Sequence, residues 1–411
     1  MAATVTWDLL RDLAGFRAGR GCAVSLYLNL DPSEVPTAPA LETRVNSLLA
    51  EAERRMDASK GELSRDAREG LKADLERIRR WFDDEFDRDG SQGAAVFASG
   101  PDNFWSAHNL PEPVPDGVRV NKQVYLAPLV RLVGSGDGAL VAFVGRERGQ
   151  VFRMRGGRLV EVADRSEETP GRHDQGGWSQ ARYERHIETL VDRHLKRVAE
   201  TLDGCVRRMR GVHVVLVGSG SEDIRSDFEA VLSNEVKERL VGWTHAEAHA
   251  TPAELLHASE PMLEGVRDGT EERAVERWRE EAGRNGRATS GWKETLEAAS
   301  DGRIELLLAQ DGADRPAYQC PACGRAQAEN GSCPLDGTAM EGNDHGLDLA
   351  VHQTLAHGGT IQVVRRGLAH SRGSPCAACG VAGRLATPQA AVQLSYRSHP
   401  VPSCPNRNRL G

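Results

Sequence analysis

The segment from Ala139 to Leu240 restricts the fold most, because its apolar pattern changes period in a fixed order. Ala139–Val144, Gln150–Arg155 and Arg158–Val162 predict three short strands. Gly145-Arg-Glu-Arg-Gly149 joins the first pair and Gly156-Gly157 the second, a strong hairpin signal. A polar stretch from Ala163 to Gln180 precedes a long helix over Ala181–Leu202, where Ile187, Leu190, Val191, Leu195, Val198 and Leu202 form one apolar stripe. A stripe of that width needs another element to cover it. Val212–Val217 predicts a buried strand closing at Gly218-Ser-Gly220, and a helix is expected across Glu222–Leu240. Strand, hairpin, loop, helix, strand, helix makes an α/β unit.

The chain has room for more than this unit. Its 411 residues imply two to four domains at about 100–200 residues each. Ala23–Leu30 alternates as a strand, amphipathic helices follow over 40–58 and 62–84, and strands are expected over Ala94–Ala98 and Trp105–Leu110. Pro128 argues against a strand across Asn121–Val133. After a helical stretch near Ala253–Glu281, helix Glu294–Ala299, strand Ile304–Ala309, helix Leu347–His357 and strand Thr360–Val364 predict a further unit. The expected fold class is therefore α/β: three consecutive α/β domains over 1–135, 136–250 and 251–411, the third with a zinc-ribbon-like insertion at 316–345. From Gly367 the pattern dissolves, with only Ala391–Tyr396 strand-like, which leaves room for a shifted reading frame over 367–411.

Several function classes fall away on composition. No window approaches 18 consecutive apolar residues, so no transmembrane helix is expected. The first eight residues lack the basic start and apolar run of a signal peptide, which points to the cytoplasm. A formal net charge of -8 excludes a global basic field, so any nucleic-acid contact must come from a local patch. No Walker-type phosphate loop occurs, and nucleotide hydrolysis is not expected.

Eight cysteines are unevenly spread. Cys22 and Cys205 stand alone in apolar stretches and are expected to be buried. The rest follow residue 319. Cys320-Pro-Ala-Cys323-Gly has the form of a zinc knuckle, in which Gly permits the tight turn that aims two thiolates at one ion. Cys333-Pro-Leu-Asp336-Gly repeats that frame with Asp in the fourth position. Three thiolates and a carboxylate satisfy tetrahedral zinc, with His345 the competing fourth ligand and a degenerate, ion-free knuckle the alternative. Without a water-activating Glu nearby, such a zinc is structural. Cys376-Ala-Ala-Cys379 shares the form, but only Cys404 follows it.

Arg172–His186 holds the most informative chemistry. A polar loop ends in Gly176-Gly177 and enters a helix carrying Arg182, Arg185 and His186, with Arg193, Lys196 and Arg197 beyond. Paired glycines allow close backbone approaches, a helix N-terminus attracts anions, and arginines meet phosphates. Glu184, Glu188 and Asp192 interleave with these bases, so spacing alone also describes a salt-bridged surface helix.

The segment resembles the middle-domain signature of the class-1 release factors of archaea and eukaryotes, Gly-Gly-Gln-Ser leading into a helix of the form x-x-Arg-aromatic-x-Arg. Gly176-Gly177-Trp178-Ser179, then Arg182, Tyr183 and Arg185, follow that frame. The hairpin Gly149–Val162 resembles the family's lead-in, and the third unit, ending in His357-Gly-Gly-Thr-Ile-Gln-Val-Val364, resembles its last domain. Bacterial members of this superfamily are similar both to quality-control peptidyl-tRNA hydrolases and to the hibernation factor Balon. The resemblance implies a translation factor with the ribosome, rRNA and peptidyl-tRNA as partners, a translational GTPase as candidate deliverer, and no DNA or membrane. It implies Gln180, Gly176 and Gly177 as the catalytic group and Trp178, Ser179, Arg182, Arg185 and Arg197 as RNA contacts.

Departures from the family frame sharpen these expectations. Trp178 stands where the family has its catalytic Gln. Its side chain offers one N–H donor and no acceptor, so it cannot copy the amide, although it can stack on a base. Gln175 and Gln180 remain nearby, and a shifted Gln in the quality-control hydrolases favours Gln180. Its role would be orienting water and the tRNA terminal ribose, since an amide is no general base at neutral pH. The first domain lacks the Asn-Ile-Lys-Ser signature, so stop-codon reading is not expected. Peptidyl-tRNA hydrolysis in ribosome rescue is the preferred function. A non-hydrolytic A-site hibernation factor is the second reading, and a zinc-ribbon adaptor or nucleic-acid regulator the third.

Overall fold

The structure is a computed structural model and describes residues 5–58, 64–88, 90–133, 138–166, 178–209, 211–219, 222–284, 287–365 and 391–394. The first stretch of chain contains α1 (Trp7–Gly15), β1 (Ala23–Asn29), α2 (Ala38–Ala58), α3 (Arg65–Arg80), β2 (Gly93–Ser99), β3 (Phe104–Leu110), β4 (Gly117–Asn121) and α4 (Ala127–Val130). Its strands form an antiparallel sheet in the order β3-β2-β1-β4. Strand alternation divides β1 between two cores. Val24, Leu26 and Leu28 pack under α2 and α3 against Val45, Leu49, Leu71 and Leu75. Ala23 and Tyr27 point the other way, into a core shared with α1, α4 and, from far along the chain, Leu296, Leu349, Leu355 and Ile361. Two helices and an edge strand here lie outside the sequence expectations. α1 starts where the Thr6 hydroxyl accepts from the Leu9 N–H at 3.1 Å, α4 occupies the stretch around Pro128, and β4 pairs only with β1.

The second stretch forms β5 (Ala139–Val144), β6 (Gly149–Arg155), β7 (Arg158–Asp164), α5 (Trp178–Arg208), β8 (His213–Gly218), α6 (Glu222–Val231), α7 (Asn234–Arg239) and β9 (Leu240–His245). Its sheet runs β7-β6-β5-β8-β9, with β5, β8 and β9 parallel and the β5-β6-β7 hairpins antiparallel. The single helix expected over Glu222–Leu240 is two helices and a strand. Ser233 breaks it: its hydroxyl caps α7 by accepting from the Val236 N–H at 3.3 Å and donates to Asp203 Oδ1 at 2.6 Å.

The remaining elements are α8 (Pro252–Gly283), β10 (Ala288–Ser290), α9 (Trp292–Ser300), β11 (Ile304–Gln310), β12 (Ala317–Gln319), β13 (Ala326–Gln327), β14 (Glu341–Asn343), α10 (Gly346–Ala356), β15 (Thr360–Val364) and β16 (Ala391–Leu394). One sheet is β10-β16-β11-β15, in which β16 fills a central position antiparallel to both neighbours. The strand-like Ala391–Tyr396 is thus real over its first four residues, while Cys376, Cys379 and Cys404 lie outside the described residues. A small sheet, β13-β12-β14, carries the expected insertion. α8 has 32 residues, about 48 Å at 1.5 Å per residue, and serves two sheets. Leu255 and Leu263 pack on Val141, Phe143, Val215 and Val217, whereas Val275 and Trp278 pack on Leu308 and Val364. A capping box at Thr251 and Glu254 starts it.

Candidate functional site

α5 begins at Trp178, immediately after the paired glycines. Gly176 and Gly177 lie outside the described residues; Trp178, Ser179, Gln180 and Arg182 belong to the first turns of the helix. The helix is longer than expected, 31 residues; from residue 185 onward its first buried residue is Val191, and Ile187 is half-buried against the same core. Val191, Leu195, Val198, Leu202, Cys205 and Val206 are buried against Leu140, Ala142, Val144, Val151, Val214 and Leu216. From Trp178 to Val191 is about 20 Å of helix, and no residue between 185 and 190 is buried. Arg185 and Arg197 are both exposed. Arg197 lies about 18 Å beyond Arg185 along the axis and about 120° around it, so the two project in different directions.

The end of β7 is also anchored. Arg165 N–H donates to the Gly149 carbonyl at 2.6 Å, Gly149 N–H donates to the Ser166 hydroxyl at 3.3 Å, and Ser166 N–H donates to Asp164 Oδ1 at 2.7 Å. Hydrogen bonds from the Ser166 hydroxyl and N–H hold the Asp164 carboxyl below the usual carboxylate range, with burial working against them. Gly149 touches α5: a Cβ placed there would stand 2.8 Å from Cε1 of His194 and collide with Val198. His194 is 1% exposed, and neither ring nitrogen has a hydrogen-bond partner. Sequence reasoning singled out none of Gly149, Ser166 or His194 for this role. The one legible signal was the glycine ending the turn before a predicted strand.

The insertion gathers all four expected ligands. Donor atoms of Cys320, Cys323, Cys333 and Asp336 lie within 4.8 Å of one another. Both knuckles use the same turn. Gly324 N–H donates to the Cys320 carbonyl and Gly337 N–H to the Cys333 carbonyl, each at 2.9 Å, with φ of 80° and 75° at the two glycines. Cys320 Sγ stands 3.5 Å from Asp336 Oδ2, and Cys323 Sγ 3.5 Å from Cys333 Sγ. Tetrahedral zinc with bonds of about 2.3 Å to sulfur and about 2.0 Å to oxygen separates its ligand atoms by about 3.5–3.8 Å. The donor set fits. Backbone and hydroxyl hydrogen bonds from Thr338 hold the Asp336 carboxyl down at about 2. Burial pushes the Cys323 thiol up to about 12. At Cys320 burial also acts upward, but N–H groups of Cys323 and Ala322 outweigh it and the thiol is lowered. His345 is engaged elsewhere: Arg119 Nε donates to its Nε2 at 2.8 Å, and its Nδ1 bonds Asp314 Oδ2 at 2.7 Å.

Residues 125–264 match the bacterial archaeo-eukaryotic release factor family 10. Peptide chain release factor subunit 1 of Methanopyrus kandleri is 26% identical over 225 residues, covering 52% of this chain and 54% of that protein. Its counterpart from Methanobrevibacter smithii is 23% identical over 227 residues, covering 53% and 54%. The family match is carried by residues 125–264, about a third of the chain. The chain spans about half the length of the curated relatives it matches. Among solved structures, Pelota of Archaeoglobus fulgidus aligns at 12% identity over 97% of this chain and 94% of that one, with a TM-score of 0.36. The part that matches the superfamily's bacterial family 10 holds the hairpins, α5, the parallel strands and the first part of α8; the cysteine cluster lies beyond it. Among the described residues, no helix is long and apolar enough to cross a membrane.

Proposed function

We propose that this chain is a ribosome-binding, release-factor-like translation factor of three units, 1–135, 136–250 and 251–411, that hydrolyses peptidyl-tRNA in the rescue of stalled ribosomes. The observation that carries the reading is the diglycine placed directly before α5, a helix in which none of residues 185–190 is buried while the residues from Val191 onward are seated on the sheet. The match of residues 125–264 to the bacterial archaeo-eukaryotic release factor family 10 supports it. Gly176 and Gly177 let the loop pass close to RNA, Gln180 orients the attacking water and the terminal ribose, and Ser179 contacts the same tRNA end. Arg182 and Arg185 meet phosphates near the tip, while Arg197, further along the rod, meets a separate stretch of rRNA. Zinc on Cys320, Cys323, Cys333 and Asp336 supplies a structural crosslink for the insertion. A translational GTPase is the delivering partner, and the cytoplasm is the place of action.

Trp178 favours a second reading, a non-hydrolytic plug of the A site during dormancy, because its indole can stack on a base but cannot hold water as the family's Gln does. One experiment separates the two. Purified chain is added to ribosomes carrying peptidyl-tRNA, and both binding and peptide release are measured. Release that drops on the order of tenfold or more in Gln180→Ala, the scale for losing a positioned donor, is the expected outcome. Stable binding without release, abolished in Trp178→Ala, would establish the plug instead. A chain that does not associate with ribosomes would sink both and leave the adaptor. In a salt series, Arg182→Ala should reduce the slope of log K against log salt by about one phosphate contact.

A further inference from the structure

We infer that the cysteine insertion is a redox-exchangeable clasp, in which a peroxide converts Cys323 and Cys333 into a disulfide and the metal leaves. The inference rests on the zinc reading of this site. The two sulfurs belong to different knuckles and stand 3.5 Å apart; a disulfide of about 2.05 Å is therefore a closure of about 1.5 Å away. Cys323 is the exposed thiol of the cluster, whereas Cys320 and Cys333 are buried. A small polar oxidant reaches Cys323 first, and Cys333 is the sulfur beside it. The fourth donor is a carboxylate, which is not oxidised. Removing one pair of thiolates leaves only Cys320 and Asp336, too few for zinc's four-coordinate preference.

The chemistry balances with hydrogen peroxide as the oxidant. The Cys323 thiolate attacks one peroxide oxygen, the O–O bond breaks, hydroxide leaves and a sulfenic acid forms. The Cys333 thiolate then attacks that sulfur, the S–S bond forms and a second hydroxide leaves. Two solvent protons convert both hydroxides to water. Two electrons pass from the sulfurs to the peroxide, and the metal departs as the divalent ion it was.

The surrounding fold can bear the exchange, because the first knuckle is fastened without the cluster. Ser300 Oγ donates to the Ala326 carbonyl at 3.0 Å and accepts from its N–H at 2.9 Å. Arg325 pairs with Asp301 at 2.6 Å, and Gln353 Nε2 donates to the Gly324 carbonyl at 2.7 Å. The second knuckle is closed by its own turn, with Cys333 N–H on the Thr338 carbonyl at 2.7 Å and Met340 N–H on the Gly331 carbonyl at 2.9 Å. A bond between Cys323 and Cys333 ties the two knuckles together as the ion does. The insertion thus keeps a crosslink in both states and changes only which one it has.

To test this, the full reduced chain is purified with zinc and titrated with hydrogen peroxide. Zinc release is read with a chromophoric chelator, free thiols are counted and linked peptides are mapped by mass. The expected result is loss of two thiols per zinc released, a peptide joining Cys323 to Cys333, and recovery of the metal after dithiothreitol and zinc are added. The same release is expected when Cys376, Cys379 and Cys404 are all changed to Ser. A reduced chain that holds no zinc overturns the metal reading and the clasp with it. Zinc that stays bound as thiols disappear, a pairing other than Cys323 with Cys333, or release abolished by the three Ser changes overturns the clasp alone.

Discussion

Asp102 illustrates how single carboxylates hold the connections between elements. Its Oδ1 accepts the N–H groups of Gly19 and Arg20 at 3.2 and 3.0 Å, and its Oδ2 accepts the Ser99 hydroxyl at 3.0 Å. Burial acts to raise its pKa, but the N–H of Arg20, the hydroxyl of Ser99 and the N–H of Gly19 prevail, and the group titrates below its ordinary value. A lowered native pKa stabilises the fold above the unfolded value of about 3.9, and that contribution is lost as pH falls through the native one. Asp102→Ala should cost about 1–2 kcal/mol at neutral pH. Chemical denaturation along a pH series checks the sign: the gap from the unchanged protein should shrink below about pH 4, and a gap that widens there would refute the assignment. At this scale the cysteine cluster was legible, because two Cys-Pro-x-x-Gly frames announce two knuckles. The choice between Asp336 and His345 was not. It depends on Arg119 and Asp314, both distant in sequence, which occupy the two ring nitrogens of His345.

Most elements whose own residues carry a strong period were read correctly, α1 being an amphipathic helix that was missed, and strands defined by their neighbours were missed. β5 and β8 announce themselves as apolar runs, and α5 by its stripe. β4 and β9 are short edge strands, each bonded to a single partner, so their pairing comes from tertiary placement rather than from local pattern. The same dependence makes the joint between α5 and β6 sensitive. Gly149 leaves no space for a methyl group between the strand and Val198, and Arg165 and Ser166 both bond to this residue. Gly149→Ala should overpack the joint and destabilise the protein by about 1–3 kcal/mol. Adding Val198→Ala should recover part of that loss, because it clears the colliding methyl. Thermal melts of both variants measure the effect, and a Gly149→Ala variant as stable as its parent would mean that α5 is not seated as described.

For the whole molecule, the main consequence is that the first and third sheets do not bury separate interiors. Tyr27, Phe97, Leu110, Leu126 and Leu129 share one core with Leu296, Leu307, Leu349, Leu355 and Ile361. Polar bonds reinforce the seam. Asp348 accepts the N–H groups of Leu126 and Ala127 at 2.7 and 3.0 Å, and His352 Nε2 donates to the Val124 carbonyl at 2.8 Å. The middle sheet has cores of its own on both faces. It meets this frame through α8, which the pairs Arg267–Glu112 at 3.1 Å and Arg365–Glu271 at 3.5 Å tie down. Sequence periodicity could not show this, because it reports which face of an element is apolar and not which element covers it. Leu349→Ala removes a large side chain from the shared core and should cost about 2–5 kcal/mol. If the core is cooperative, hydrogen exchange should then quicken in β1 and β2 as much as in β11 and β15, and much less in β5 and β8. Faster exchange confined to β11 and β15 would mean that the two sheets only touch, and that the first sheet draws its stability from α2 and α3 alone.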